Sequence, residues 1–241
     1  MNIFNAPDFW LYISRLAVLM FTGFIGWLTY RSHLLLKQIQ PDFNLLLSVP
    51  ETIGRVVMVL ICLLIAWFSG LPAARLGFVV ENLWWSIGLG FGVGLVTQLM
   101  VNILTIRAIM HLGPHIYSPW LIRNILPRHH GQWIPIGLAF IPPVAMEELL
   151  FRTLLIGLFR DLIPLWVLVI GTSLVFGLMH RPQGALGVVM AGTINMLFCL
   201  LFIWSGELLV TLIAHYTINL LQVIAAYHQQ DLLKRLTSEP L

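Results

Sequence analysis

Residues Ile134–Arg160 read IPIGLAFIPPVAMEELLFRTLLIGLFR. The stretch is apolar enough for a membrane helix, yet Glu147, Glu148 and Arg152 lie inside it. Each charge at mid-bilayer costs roughly 3 kcal/mol on insertion scales. A lipid-facing helix would not keep three of them, so they face other helices or a wet cavity. The stretch is also longer than the ~20 residues that one crossing needs. Pro142 and Pro143 divide it into a short entry piece and a helix from about 143. Pro143 then stands in the first turn, where its missing N–H is not required.

Composition extends this reading to the whole chain. Of 241 residues, 59% are hydrophobic and 10% charged, with mean hydropathy +0.91. Soluble domains are about 25% charged. The fold class is therefore an all-α polytopic membrane protein. Its apolar segments run over about 9–30, 54–70, 83–104, 134–160, 163–180, 184–204 and 206–227. They are helical because hydrocarbon offers backbone groups no partner outside the segment. The +3 net charge is too small to point to nucleic acid. No Lys or Arg precedes the long first apolar run, so no cleaved signal peptide is expected. Cys62 and Cys199 lie in apolar runs without metal-ligand spacing and read as packing residues.

Loop charges set the orientation. With alternate loops on opposite sides, one side receives Arg31, Lys37, Arg55, Arg107, Arg123, Arg128, Arg181, Lys234 and Arg235. The other receives Arg75 and Arg160, while Arg15 and Arg152 fall within segments. This split supports seven crossings, with the N-terminus outside and the C-terminus cytoplasmic. An eighth crossing between 105 and 142 is the alternative, and would spoil the pattern unless re-entrant. The basic, aromatic segment 105–132 is expected along the cytoplasmic membrane surface. Gly88, Gly90, Gly92 and Gly94 lie within an apolar segment. They are spaced for close helix packing, not for a nucleotide loop.

Three polar sets stand out. Glu148 and Arg152 are four residues apart on one helix face, in the favourable order, and can pair. Glu147 points about 100° away and has no partner in its own helix. It must titrate abnormally or meet a polar group elsewhere, which makes it a candidate general base. The second set is Phe176 and His180, again i,i+4, so that the ring can pack on the imidazole. The third is His215 and Asn219, a turn apart on one face. Asn195 reads as helix–helix glue. With the topology above, these groups fall in the cytoplasmic half of the bilayer, around one water-accessible cavity.

One carboxylate, two imidazoles and an amide suit hydrolysis. Glu147, helped by His180, would deprotonate a water. His215 and Asn219 would donate to the oxyanion of a tetrahedral intermediate. Arg152 would neutralise Glu148. Direct water activation without a cofactor is the favoured reading. A zinc held by Glu147, His180 and His215 is the alternative, although the two-His helix signature of common zinc proteases is lacking.

The sequences EELLFR, FGLMH and HYTIN resemble the EExxxR, FxxxH and HxxxN motifs of the CAAX-protease and bacteriocin-processing (CPBP, or Abi) family, in that family's order. The resemblance covers about 142–225. It implies an intramembrane endopeptidase of glutamate type, historically classed with metalloproteases. It assigns Glu147 and His180 to water activation and His215 and Asn219 to the oxyanion. Family members often have eight crossings, against seven here. The expected domains are N-terminal membrane helices with a basic loop (1–132), a catalytic core (133–228) and a short cytoplasmic tail (229–241). The expected partners are the bilayer and a membrane-associated protein or peptide substrate, lipidated or not, with no nucleic acid. The basic loops fit a bacterial inner membrane, and an endoplasmic reticulum protein would obey the same rule. Two rivals stay open. One is a non-catalytic scaffold or immunity protein of the same family. The other is a proton-coupled transporter, which predicts inverted repeats that the sequence does not show.

Overall fold

The computed structural model describes residues 7–36, 41 and 43–230. Lys37, Lys234, Arg235 and most of the expected tail lie outside the described residues. Those described form helices joined by loops and short 3₁₀ turns: α1 Pro7–Leu36, α2 Val49–Phe68, α3 Leu83–Leu112, α4 Trp120–Arg123, α5 Trp133–Ala139, α6 Ile141–Glu148, a π-helical stretch Leu149–Ile156, α7 Gly157–Phe159, α8 Leu165–Met179, α9 Gly184–Ser205 and α10 Leu208–His228. The chain is a multi-pass membrane protein. Among the described residues, six helical runs are long and apolar enough to cross a bilayer, one of them His130–Phe159. The expected fifth segment is a 15-residue helix, α8. At 1.5 Å per residue it spans about 22 Å, short of the ~30 Å hydrocarbon core.

Two expectations need adjusting. The third helix runs on to Leu112, so 105–112 continues α3 and is not surface loop. The remainder, through α4, folds back onto the bundle. Ile122 packs with Leu46, Ile136, Phe140 and Val223, and the Asn44 amide donates to the carbonyls of Ile125 and Leu126. The entry piece and the following helix are separated at Phe140, with prolines in the first turn of α6.

Loop contacts sort the two ends of the bundle as strict alternation requires. At one end the loop before α2 meets residues 124–126, and Ser118 N–H donates to the Gln183 carbonyl. At the other, Leu208 N–H donates to the Gly77 carbonyl, and Arg75 reaches Gly157 and Asp161.

Helix α3 packs closely against α10. Ser86, Gly90, Gly94 and Gln98 recur every four residues and form the buried face of α3. A Cβ on Gly90 would lie 2.6 Å from the Val210 carbonyl oxygen, and one on Gly94 2.7 Å from that of Ala214. Gly88 and Gly92 face open space, so only one of the two glycine pairs does the packing. Gly94→Leu is expected to cost about 1–3 kcal/mol through overpacking, and Gly92→Leu almost nothing. Thermal unfolding of both variants in detergent checks this, and equal effects would contradict the packing assignment.

The π-helical stretch lies at the centre of the largest core cluster, and all eight of its residues are buried. Such wide turns are rare and cluster at functional sites. Its far end is held from outside its own helix. Thr153 Oγ1 donates to the Leu76 carbonyl at 2.9 Å. Arg75 Nε donates to the Gly157 carbonyl, and Arg15 Nε to that of Leu158, each at 2.9 Å. Both guanidinium groups also bind Asp161 at 2.7 Å. This accounts for Arg15, a charge inside the first segment. Partial burial pushes the Asp161 carboxyl up. Hydrogen bonds from Arg15, its own backbone and Arg75, with the Arg75 charge, outweigh this and hold it below its ordinary value. A carboxyl with a lowered folded pKa contributes stability above the ordinary carboxylate range. That contribution is lost as pH falls through the folded value. The unfolding temperature of wild type should therefore fall more steeply on acidification than that of Asp161→Asn. Parallel curves would mean that the clamp is energetically silent.

Candidate active site

His215 is held between two glutamates. It stands on α10, one turn after the fully buried Thr211, whose face also meets Glu148. Its Nδ1 lies 2.7 Å from Glu148 Oε1, and its Nε2 3.5 Å from Glu147 Oε2. A carboxylate only accepts, so Nδ1 carries the proton given to Glu148. On its other side Glu148 Oε2 meets Arg152 Nε at 3.2 Å. Glu148 and Arg152 are fully buried, whereas the Glu147 side chain is 26% exposed. Glu147 is therefore the more accessible of the two acids.

Adjacent residues do this because successive side chains on a helix diverge by about 100°. Glu148 turns toward Arg152 in its own helix and His215 across the interface. Glu147, which lacks a partner in its own helix as the spacing predicts, meets the far nitrogen of the same imidazole. The aromatic walls were not singled out by sequence. Phe198 lies 5.6 Å from the His215 ring and 5.4 Å from the Arg152 guanidinium carbon. The two terminal nitrogens of Arg152 have no hydrogen-bond partner among the described residues. The ring face supplies part of what they lack. The signal for Phe151 and Phe198 was only burial within otherwise apolar runs, which any core aromatic shares.

The second motif joins through rings. Phe176 stacks on His180 with centroids 4.5 Å apart, as the i,i+4 spacing predicts. It also stands edge-on to Phe151 at 4.9 Å and to His215 at 6.3 Å. His180 Nδ1 lies 2.8 Å from the Phe176 carbonyl oxygen. A carbonyl cannot donate, so Nδ1 is the protonated nitrogen and Nε2 is left as an acceptor. Asn219 is half-buried one turn beyond His215. Its amide makes no hydrogen bond among the described residues. Asn195 binds Ser173 Oγ at 3.2 Å and ties α9 to α8, the glue role expected of it.

The depth differs from the expectation of a single half-bilayer. His180 ends α8 at the end where the 116–118 and 183–184 loops meet. His215, however, is seven residues from Leu208 and thirteen from His228, about 10 and 20 Å of helix. The polar groups thus run from that end to mid-bundle. Helix ends in the sequence were uncertain by several residues, enough to shift a mid-helix residue across the midplane.

Among the described residues, no group of three or more His, Cys, Asp or Glu is gathered as metal ligands. Glu147, His180 and His215 form no such group.

Residues 129–221 match the family model described as Type II CAAX prenyl endopeptidase Rce1-like. This is the CAAX-protease family that the three motifs resemble, and it is a family of proteases. The matched span holds all the motif residues, while α1, α2 and α3 lie outside it. No curated protein and no solved structure matches the chain.

Proposed function

We propose that the chain is a CAAX-type intramembrane endopeptidase that hydrolyses a peptide bond of a membrane-associated, lipidated protein or peptide. The observation that carries this reading is His215 fixed between Glu147 and Glu148, inside the span that matches a protease family.

The geometry supports a division of labour. Glu147, the more accessible acid, takes a proton from a water with the free Nε2 of His180 as its partner base. The hydroxide adds to the scissile carbonyl carbon. The same base then returns the proton to the leaving nitrogen as the C–N bond breaks. Glu148 and Arg152 do not exchange protons with substrate. They hold His215 with Nδ1 toward Glu148, so its Nε2 faces the reaction. A protonated His215 makes the set neutral, with two carboxylates against one guanidinium and one imidazolium. Its Nε2–H and the Asn219 amide, one turn along, then donate to the oxyanion. One such donor is worth about 3 kcal/mol of barrier. The charge split supports a cytoplasmic position for the His180 end of the bundle. Substrate would enter from that side, in a bacterial inner membrane with the N-terminus outside.

The test is cleavage of a membrane peptide library, with and without a C-terminal lipid, by chelator-treated protein of measured metal content. Cleavage by the metal-free wild type, lost in Glu147→Gln, supports water activation by glutamate. Cleavage restored only by added zinc would overturn it in favour of a metal. Cleavage by neither, with Glu147-dependent proton flux in sealed vesicles, would favour a transporter.

A further inference from the structure

We infer that the groove between α1 and α8 binds an anionic phospholipid, with an acyl chain in the groove and the headgroup at Arg181. The cavity has a volume of about 330 Å³, within the usual range of small-molecule sites. Gly23 and Gly26 notch the α1 side, and Val175, Leu178 and Met179 form the opposite wall. A Cβ on Gly23 would meet nothing within 4 Å, so the notch is open space.

The groove is graded along its length. At the Thr22 end the only hydroxyl is already committed to the Val18 carbonyl at 2.8 Å. Toward the loop end the lining becomes Thr29, Tyr30, His33 and Arg181. No Asp or Glu lines any part of it. Arg181 is exposed, on the side where the basic loops gather. Basic pockets between membrane helices on that side suit anionic headgroups.

Chain chemistry selects the occupant. A polypeptide laid in the groove would bring backbone N–H and C=O groups to an end that offers them no partner. An acyl chain needs none, and its phosphate meets Arg181. The headgroup would then sit beside the residue that follows His180, at the mouth of the site.

The experiment uses the full chain reconstituted in vesicles of equal phosphatidylglycerol and phosphatidylcholine, then released and weighed intact with its retained lipids. Wild type should retain phosphatidylglycerol in preference. Arg181→Gln should lower that preference about five-fold, the worth of one basic side chain at an anionic surface. Gly23→Leu fills the notch without a clash and should lose retained lipid of both kinds. The proposal is overturned if wild type retains both lipids equally, if Arg181→Gln keeps the preference, or if Gly23→Leu retains lipid as wild type does. Binding is read directly, so the result does not depend on peptidase activity.

Discussion

Glu147→Gln is expected to lower kcat/KM for peptide cleavage by about 10²–10⁴-fold, the range that a positioned general base supplies. The unfolding temperature should hardly change. Glutamine keeps the shape and one acceptor oxygen, and the contact it weakens is the longer one, 3.5 Å to His215. His215 stays anchored by the 2.7 Å bond to Glu148, so the oxyanion donors keep their place. What is lost is the ability to take a proton from water. Single-turnover cleavage and thermal unfolding on the same preparations separate the two effects. A parallel loss of stability and activity would make Glu147 a structural lock and sink the mechanism. Retained activity would move the base to His180.

The site was legible in the sequence to the extent that it is local. Glu148 with Arg152, and Phe176 with His180, are i,i+4 pairs, and helix geometry alone brings them together. The cost of charge in lipid marked Glu147 as a group needing a partner. It could not say which, because His215 is 68 positions away and arrives through the packing of α10. That packing depends on Gly90 and Gly94 in α3, two glycines among four with the same local pattern. Which pair faces α10 is a tertiary fact. The clamp of Arg15, Arg75 and Asp161 was hidden for the same reason, since its members lie in three separate parts of the chain. The π-helical stretch has no periodicity of its own. Eight buried residues in an apolar run look like ordinary helix. The shortness of α8 is masked in the sequence because apolar loop residues beside it, Leu162 and Ile163, lengthen the apolar run.

Arg152→Met is expected to destabilise the protein by about 3–5 kcal/mol, the cost of leaving a buried charge without its partner. Arg152 is the largest fully buried side chain among the described residues, and Glu148 beside it has no exposure. Methionine fills much of the space and sets a thioether against Phe198 where the guanidinium stood, so the loss measures charge more than volume. His215 does not replace the guanidinium, because its Nδ1 proton already goes to Glu148 Oε1, whereas the oxygen that loses Arg152 is Oε2. The double variant Glu148→Gln/Arg152→Met tests the pairing. Glutamine still accepts from His215 Nδ1 but carries no charge to strand. Its stability should exceed that of Arg152→Met, with a coupling of about 1–3 kcal/mol between the sites. Equilibrium unfolding in mixed micelles gives both numbers. The double variant should nevertheless cleave poorly, since a neutral amide holds His215 Nδ1 less firmly than the carboxylate does at 2.7 Å, and Nε2 is then less well aimed. Recovery of stability without recovery of activity would separate the two tasks of this pair, holding the helix and orienting the histidine. Additive losses would mean that the 3.2 Å contact between Glu148 and Arg152 does neither.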